Sequence, residues 1–180
     1  MTHPAESMTE FLQCFDENGA PTEAHTRAEV KALPPRWWYA TSKVWLVNDA
    51  GELMCSKRAE GLTGSPGRWQ TYFGGHVAAG LSIKQSAQRE LEEETGIKKP
   101  LEDLFLIDTG RDDTKKVHYE FYAVHFNGQP SDLRFTDNEV TEAQWMTMDE
   151  YWNDQQQNPD KWCCGCKPEH QKLIREWLQK

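Results

Sequence analysis

Apolar and polar positions alternate along this chain in short runs that read as strands, with three segments of helical period among them. Lys43-Val44-Trp45-Leu46-Val47 is the most β-rich run; it places a strand over 37–48 that Asn48-Asp49-Ala50-Gly51 closes. Glu52 to Arg58 is predicted as its hairpin partner. Gly61 to Gly67, with three glycines and Pro66, reads as loop, and Trp69 to Val77 as a returning strand and turn that contains Gly74-Gly75. Further strands are expected over 104–108, 117–126 and 143–146, with a turn at Asn127-Gly128-Gln129-Pro130. Helices are expected over 82–95, 148–156 and 169–179. The first is the clearest, because Ser82 suits an N-cap and Gly96 a left-handed residue past the end.

Before these elements, Glu10 to Phe15 reads as a short strand and Asp16-Glu17-Asn18-Gly19 as a turn. Pro34-Pro35 blocks helix and marks a boundary. Residues 1–35 are therefore expected to form an N-terminal extension, and 36–180 the main domain with a C-terminal helix. Strands interleave with a few helices without regular alternation. That pattern implies an α+β domain, a mixed sheet packed between helices.

Charge narrows the partners. Of 180 residues, 29 are acidic and 20 basic, a formal charge of −9, which disfavours a nucleic-acid polymer or an anionic membrane surface. No apolar run approaches the ~18 residues of a membrane span. Met1 to Glu10 has neither a basic start nor an apolar stretch, so no leader is expected. Five cysteines, an odd count with three crowded at Cys163-Cys164-Gly165-Cys166, make a poor disulfide framework; a reducing cytoplasm is expected. With His170 the crowded cysteines invite a zinc reading, but the spacing is not C-x2-C and free thiols are the simpler one.

The chemistry lies in Arg89-Glu90-Leu91-Glu92-Glu93-Glu94-Thr95-Gly96-Ile97. At about 100° per residue, Ile83, Ala87 and Leu91 define a buried stripe. Glu94 and Glu90 fall on or beside it, Glu93 flanks it and Glu92 points to solvent. An inward carboxylate costs several kcal/mol unless compensated, and two of them one turn apart repel. A hard divalent cation, Mg²⁺ or Mn²⁺, relieves both costs. The plainer alternative is a solvated charged helix with Arg89 as a local partner. The loop Gly74-Gly75-His76-Val77-Ala78-Ala79-Gly80, which leads into this helix, favours the cation, since it brings backbone carbonyls close to a ligand.

These residues resemble the Nudix hydrolase box, G-x5-E-x7-R-E-U-x-E-E-x-G-U with U bulky and aliphatic. Gly75, Arg89, Glu90, Leu91, Glu93, Glu94, Gly96 and Ile97 match in register, and Leu81 stands where the box has its first glutamate. The resemblance extends over roughly residues 36 to 152, and the N-terminal strand-turn is most similar to the group near type I isopentenyl-diphosphate isomerase. It implies a Nudix α/β/α sandwich and metal-dependent hydrolysis of a diphosphate linkage in a nucleoside diphosphate joined to another moiety. It further implies that Glu90, Glu93 and Glu94 hold Mg²⁺ (or Mn²⁺) with the carbonyl of Gly74 or Gly75, and that Arg89 positions Glu90 through an ion pair. The partner implied is a small-molecule diphosphate, and a homodimer is possible through the extra N-terminal strand. Two other functions stay open: an isopentenyl-diphosphate isomerase-like enzyme, and a non-catalytic nucleotide-binding module. Thr71-Tyr72-Phe73-Gly74-Gly75-His76 lacks the cysteine expected of the isomerase, and the retained glutamates argue against a pure binder.

A general base outside the box is sought among Glu120, Glu139 and Glu142; Glu120, opposite Tyr119 and Phe121 in its strand, is the preferred catalytic candidate, with an exposed strand residue as the alternative. Arg58, Arg68, Trp69 and His76 are candidate substrate contacts, each with a structural alternative: surface ion pairs for the arginines, core packing for Trp69, a hydrogen-bonded imidazole for His76. Trp37, Trp38 and Tyr39 could stack on a base but equally well fill core, and His25 reads as surface.

Overall fold

The computed structural model describes residues 7–62, 64–136 and 138–179; the first six residues, part of the stretch read above for a leader, lie outside it. In chain order come β1 (Phe11–Leu12), β2 (Cys14–Phe15), β3 (His25–Thr26), α1 (Arg27–Val30), β4 (Trp38–Val47), β5 (Leu53–Arg58), β6 (Trp69–Gln70), α2 (Ile83–Thr95), β7 (Phe105–Asp112), β8 (Val117–His125), β9 (Val140–Met146), α3 (Met148–Gln157) and α4 (Pro168–Leu178). β4 and β8 run parallel from Tyr39↔Val117 to Val47↔His125. The other pairings between these strands are antiparallel, in the order β6-β5-β4-β8-β7 with β2 added to β4 and β9 to β5, and a single parallel bridge joins Trp69 to Trp162.

Side-chain alternation on β4 and β8 divides the interior. Val44, Leu46, Tyr122 and Val124 face Ala87 and Leu91 of α2. Trp45, Val47, Phe121 and Ala123 face the other way, onto Met148 and Tyr151 of α3 and Ile174 of α4. The result is the α/β/α sandwich with a mixed sheet. Burial of a residue such as Leu91 contributes roughly 1.5–3 kcal/mol.

Three elements differ from their expected bounds. β7 runs on to Asp112 instead of stopping at Asp108, because Asp112 still pairs with Val117. Its hairpin turn has no glycine; Lys116 takes the positive φ of 51° instead, and the Asp112 Oδ1 accepts the Lys115 N–H at 3.1 Å. β9 starts at Val140 rather than 143, its polar Thr141 and Glu142 kept in the strand by the ladder with β5. β6 stops after two residues. Beyond it the chain crosses β4 through single bridges, Val44↔Phe73 and Thr41↔His76, and this crossing carries the glycine pair.

The N-terminal segment joins the main sheet. Cys14 and Phe15 pair with Tyr39 and Trp38 of β4, and Leu12 and Cys14 pack with Val30 and Tyr39. β1 and β2 thus find their strand partners within the chain. His25 is not a surface residue: its ring stacks on Trp37 with centroids 3.8 Å apart.

Between α3 and α4 the chain folds back along β6, with Cys163 N–H donating to the Trp69 carbonyl at 3.0 Å. Asp154 of α3 anchors this segment, accepting from Asn158 Nδ2 at 2.7 Å, Lys161 Nζ at 2.5 Å and Trp162 Nε1 at 3.0 Å. The Lys161 bond, followed by those of Asn158 and Trp162, holds the Asp154 carboxyl below its ordinary 3.8. The folded value lies below the unfolded one, so this contribution is present above about pH 4 and is lost as pH falls through the folded value. Asp154→Ala is expected to lower stability by about 1 kcal/mol at pH 7, a modest figure because the site meets solvent. Urea titrations of both proteins should show that difference shrinking toward zero at acid pH.

Candidate active site

α2 forms where Ser82 and Gln85 cap one another, the Ser82 Oγ accepting from Gln85 N–H, and it ends at Gly96 with φ of 74°. The apolar stripe docks the helix, and that docking carries Glu94 inward until only 3% of it is exposed. The Glu94 Oε2 accepts the Gly74 N–H at 2.9 Å. Gly74 sits at φ of 138°, and a Cβ there would run into the Ser42 carbonyl oxygen, so the position requires glycine. A Cβ on Gly75 would lie 2.6 Å from Glu90 Oε2. Two glycines therefore clear the space against which two helix carboxylates rest. The Gly75 carbonyl accepts Ser42 N–H at 2.9 Å and keeps a second lone pair.

Glu90 is half-buried, and burial pushes its carboxyl up to about 8; the charge of Glu93 adds to the rise, Arg89 opposes it, and Glu139 and Glu10 reinforce it. Arg89 bonds Glu93 instead of the Glu90 expected to be its partner, Nε to Oε1 at 2.9 Å, because residues four apart share one helix face. Glu92 pairs with Lys98 at 2.7 Å. The Glu92 and Glu93 side chains are equally exposed, 45% and 44%, so burial alone does not separate them. Among the described residues no group of three or more His, Cys, Asp or Glu side chains is drawn together as a metal cluster. Glu94 is turned to a backbone N–H and Glu93 to a guanidinium. The donor set nonetheless fits a hard dication: carboxylates within one helical turn, one of them resisting ionisation, beside backbone that leaves no room for a side chain.

Leu81, in place of the box's first glutamate, packs with Ile83 against Phe15, Ala40 and Val77. The N-terminal strand covers this position and makes it apolar. Trp38 and Tyr39 likewise pack against the extension rather than into a cavity.

Glu120 lies on the α2 face of β8 in register with Ser42, and its Oε2 accepts from the Tyr122 hydroxyl. Glu142 pairs with Lys57 at 2.8 Å. Arg58 donates to the Gly64 carbonyl at 2.8 Å, while Arg68 is exposed on its loop. His76 meets Arg27 of the N-terminal segment, Nη1 to Nδ1 at 3.2 Å, and burial, then Lys31 and Arg27, push its pKa down to about 3. The imidazole is therefore neutral and accepts from the guanidinium.

On the opposite face of β4 and β8 lies a cavity of about 820 Å³ that none of Arg58, Arg68, Trp69 or His76 lines. Its sheet wall is Lys43, Tyr72, Tyr119 and Phe121, and its roof includes Tyr151 and Cys164. The Lys43 Nζ sits 4.6 Å from the Phe121 ring centre and 5.4 Å from that of Tyr72, and burial lowers its pKa. Sequence reading missed this quartet. The signal was available in part: Lys43 interrupts the most apolar strand, and Tyr119 and Phe121 share its parity across the parallel ladder. Tyr72 lines the cavity, and two residues on, Gly74 touches Glu94, so one short crossing joins the two sites.

A family model described as the NUDIX domain matches residues 39–163. An uncharacterized Nudix hydrolase of Pseudomonas aeruginosa is 32% identical over 149 residues, covering 81% of this chain and 83% of that one. An isopentenyl-diphosphate Δ-isomerase of Pectobacterium atrosepticum is 26% identical over 153 residues, 81% of each chain. In fold, a crystal structure of a Deinococcus radiodurans protein superposes with TM-score 0.70 at 17% identity, over 93% of this chain and 98% of that one. The chain belongs to the Nudix hydrolase family, enzymes that cleave diphosphate linkages with the help of a divalent cation.

Gly74→Ala is expected to destabilise the fold by about 1–3 kcal/mol or more, since a left-handed position and a carbonyl clash coincide. Gly75→Ala is expected to fold but to displace Glu90; Mn²⁺ titration followed by electron paramagnetic resonance should show weaker binding than in the parent.

Proposed function

We propose that this enzyme hydrolyses a phosphoanhydride bond in a nucleoside diphosphate linked to another moiety, with Mg²⁺ or Mn²⁺ held by Glu90, Glu93, Glu94 and the carbonyl of Gly74 or Gly75. The observation that carries the reading is Glu90, pressed between a glycine and a second carboxylate and pushed up to about 8 by burial and by that neighbour. Neutralising this cluster requires either a proton or a cation. A divalent cation bound there would screen phosphate charge, which a chain of net charge −9 otherwise repels, and lower the pKa of a water.

The chain's own groups supply the rest. Arg89 holds Glu93 in place. Glu139, whose charge reaches Glu90, and Glu120, whose Oε2 accepts from the Tyr122 hydroxyl, are the candidates for the base. The cavity suits the part of the substrate beyond the reacting phosphates: aromatic walls for a planar group, and the Lys43 ammonium for a phosphate or other anion. Arg58 supports it from the side, its charge reaching Tyr72 and Cys164. Arg68, exposed on its loop, Trp69 and His76 would be further substrate contacts outside the cavity lining. We place the enzyme in the cytoplasm, where small diphosphates are plentiful and thiols stay reduced.

A screen of nucleoside-diphosphate compounds with phosphate-release readout, with and without Mg²⁺, tests the proposal; no turnover on any of them despite binding would leave a binding module. Glu93→Gln is expected to lose turnover on the order of 10²-fold while the fold is kept, and Glu92→Gln to be nearly silent. Lys43→Met should raise KM about tenfold with a smaller change in kcat. Formation of dimethylallyl diphosphate from isopentenyl diphosphate would instead establish the isomerase.

A further inference from the structure

We propose that Cys163 and Cys164 are a thiol–disulfide exchange site in the wall of the aromatic cavity, one that takes a low-molecular-weight disulfide of the glutathione class and closes to a vicinal disulfide. The reaction read above uses neither residue.

Geometry carries the assignment. The two Sγ atoms lie 3.1 Å apart, in hydrogen-bonding contact. Both residues are partly exposed, and Cys164 lines the cavity, so a reagent entering the cavity reaches a thiol. Cys14, Cys55 and Cys166 are fully enclosed at 0% exposure, and burial pushes each of their thiols up. Burial opposes ionisation of Cys164 as well, but its neighbours outweigh it. Bonds from Cys163 and from the Tyr72 hydroxyl, then the charges of Lys43 and Arg58, lower its pKa, while Cys163 is raised. Cys164 is the one of the two that lines the cavity, which makes it the attacking thiolate and Cys163, 3.1 Å behind it, the resolving thiol. Gly165 holds the turn close to the cavity roof, since a Cβ there would run into the Tyr151 hydroxyl.

The exchange balances in two steps. The Cys164 thiolate attacks one sulfur of the disulfide, forming a mixed disulfide and expelling one thiolate, which takes up a proton. Cys163 then gives up its proton, and its sulfur attacks Cys164 Sγ; the mixed bond breaks and the second small thiol leaves. The two cysteines lose two electrons and the added disulfide gains them. Closure removes the sulfur partner of the Tyr72 hydroxyl and the thiolate facing Lys43. Its effect on turnover, but not the disulfide itself, rests on the proposed substrate reading of this cavity.

Reduced full-length protein is incubated with glutathione disulfide, and peptides are mapped by mass spectrometry after alkylation. The peptide bearing Cys163, Cys164 and Cys166 should lose the mass of two hydrogen atoms, and dithiothreitol should restore it. Cys166→Ser should behave like the parent, while Cys163→Ser should stop at a glutathione adduct on Cys164. A parent that stops at the adduct or stays unreacted overturns the proposal, and so does an internal disulfide that still forms in Cys163→Ser. Should Cys163→Ser fail to fold, fragmentation of the oxidised parent peptide distinguishes a Cys163–Cys164 bond from one to Cys166. Oxidation of the parent should also raise KM severalfold, reversibly; absence of turnover in the reduced protein would count against the hydrolase reading alone, because the mass map does not depend on it.

Discussion

The bond from the Gly74 N–H to the Glu94 carboxylate organises this molecule. It requires a carboxylate to enter the space between helix and sheet, where a charge is tolerated only when fully bonded. It requires a glycine at a left-handed position, and a helix long and apolar enough to be held at that depth. Each condition is met by a different part of the chain: the stripe of Ala87 and Leu91, the crossing over β4, and the capping at Ser82 and Gly96. Glu90 is brought against Gly75 by the same docking, and its resistance to ionisation is a consequence of that position.

The sheet then separates two kinds of chemistry. Carboxylates and backbone occupy the α2 face, where charge density is high. The other face of the same strands presents aromatic rings around one lysine. Strand alternation is the physical cause, because Ser42 and Lys43, or Glu120 and Phe121, are neighbours in sequence yet point to opposite layers. The crossing from Tyr72 to Gly75 bridges them.

The N-terminal segment is a working part of this arrangement. Phe15 covers Leu81, which explains an apolar residue at a position that is acidic in the box. Arg27 is held by Glu10 at 2.5 Å and in turn bonds His76, the residue after the glycine pair. The segment therefore buttresses the crossing from the outside.

Much of this was legible in the residues. Helix periodicity placed Glu94 inward and Ser82 and Gly96 at the ends, because spacing at 3.6 residues per turn is a local property. The core strands were legible from Lys43 to Val47, and the match in register from Gly75 to Ile97 pointed to the family. What the sequence could not determine was which groups meet. His76 taking Arg27 and Lys43 entering a cage of Tyr72 and Phe121 both depend on how distant segments cross, whereas Arg89 choosing Glu93 is local to one helix face. Strand ends such as Asp112 and Glu142 were hidden because pairing with β8 and β5 overrides their polar character. Composition and period fix what each segment prefers alone; only packing decides which side chains share a cavity, and the cysteine pair beside Tyr72 and Lys43 became a candidate site only when the sheet, the crossing and the C-terminal turn were brought together.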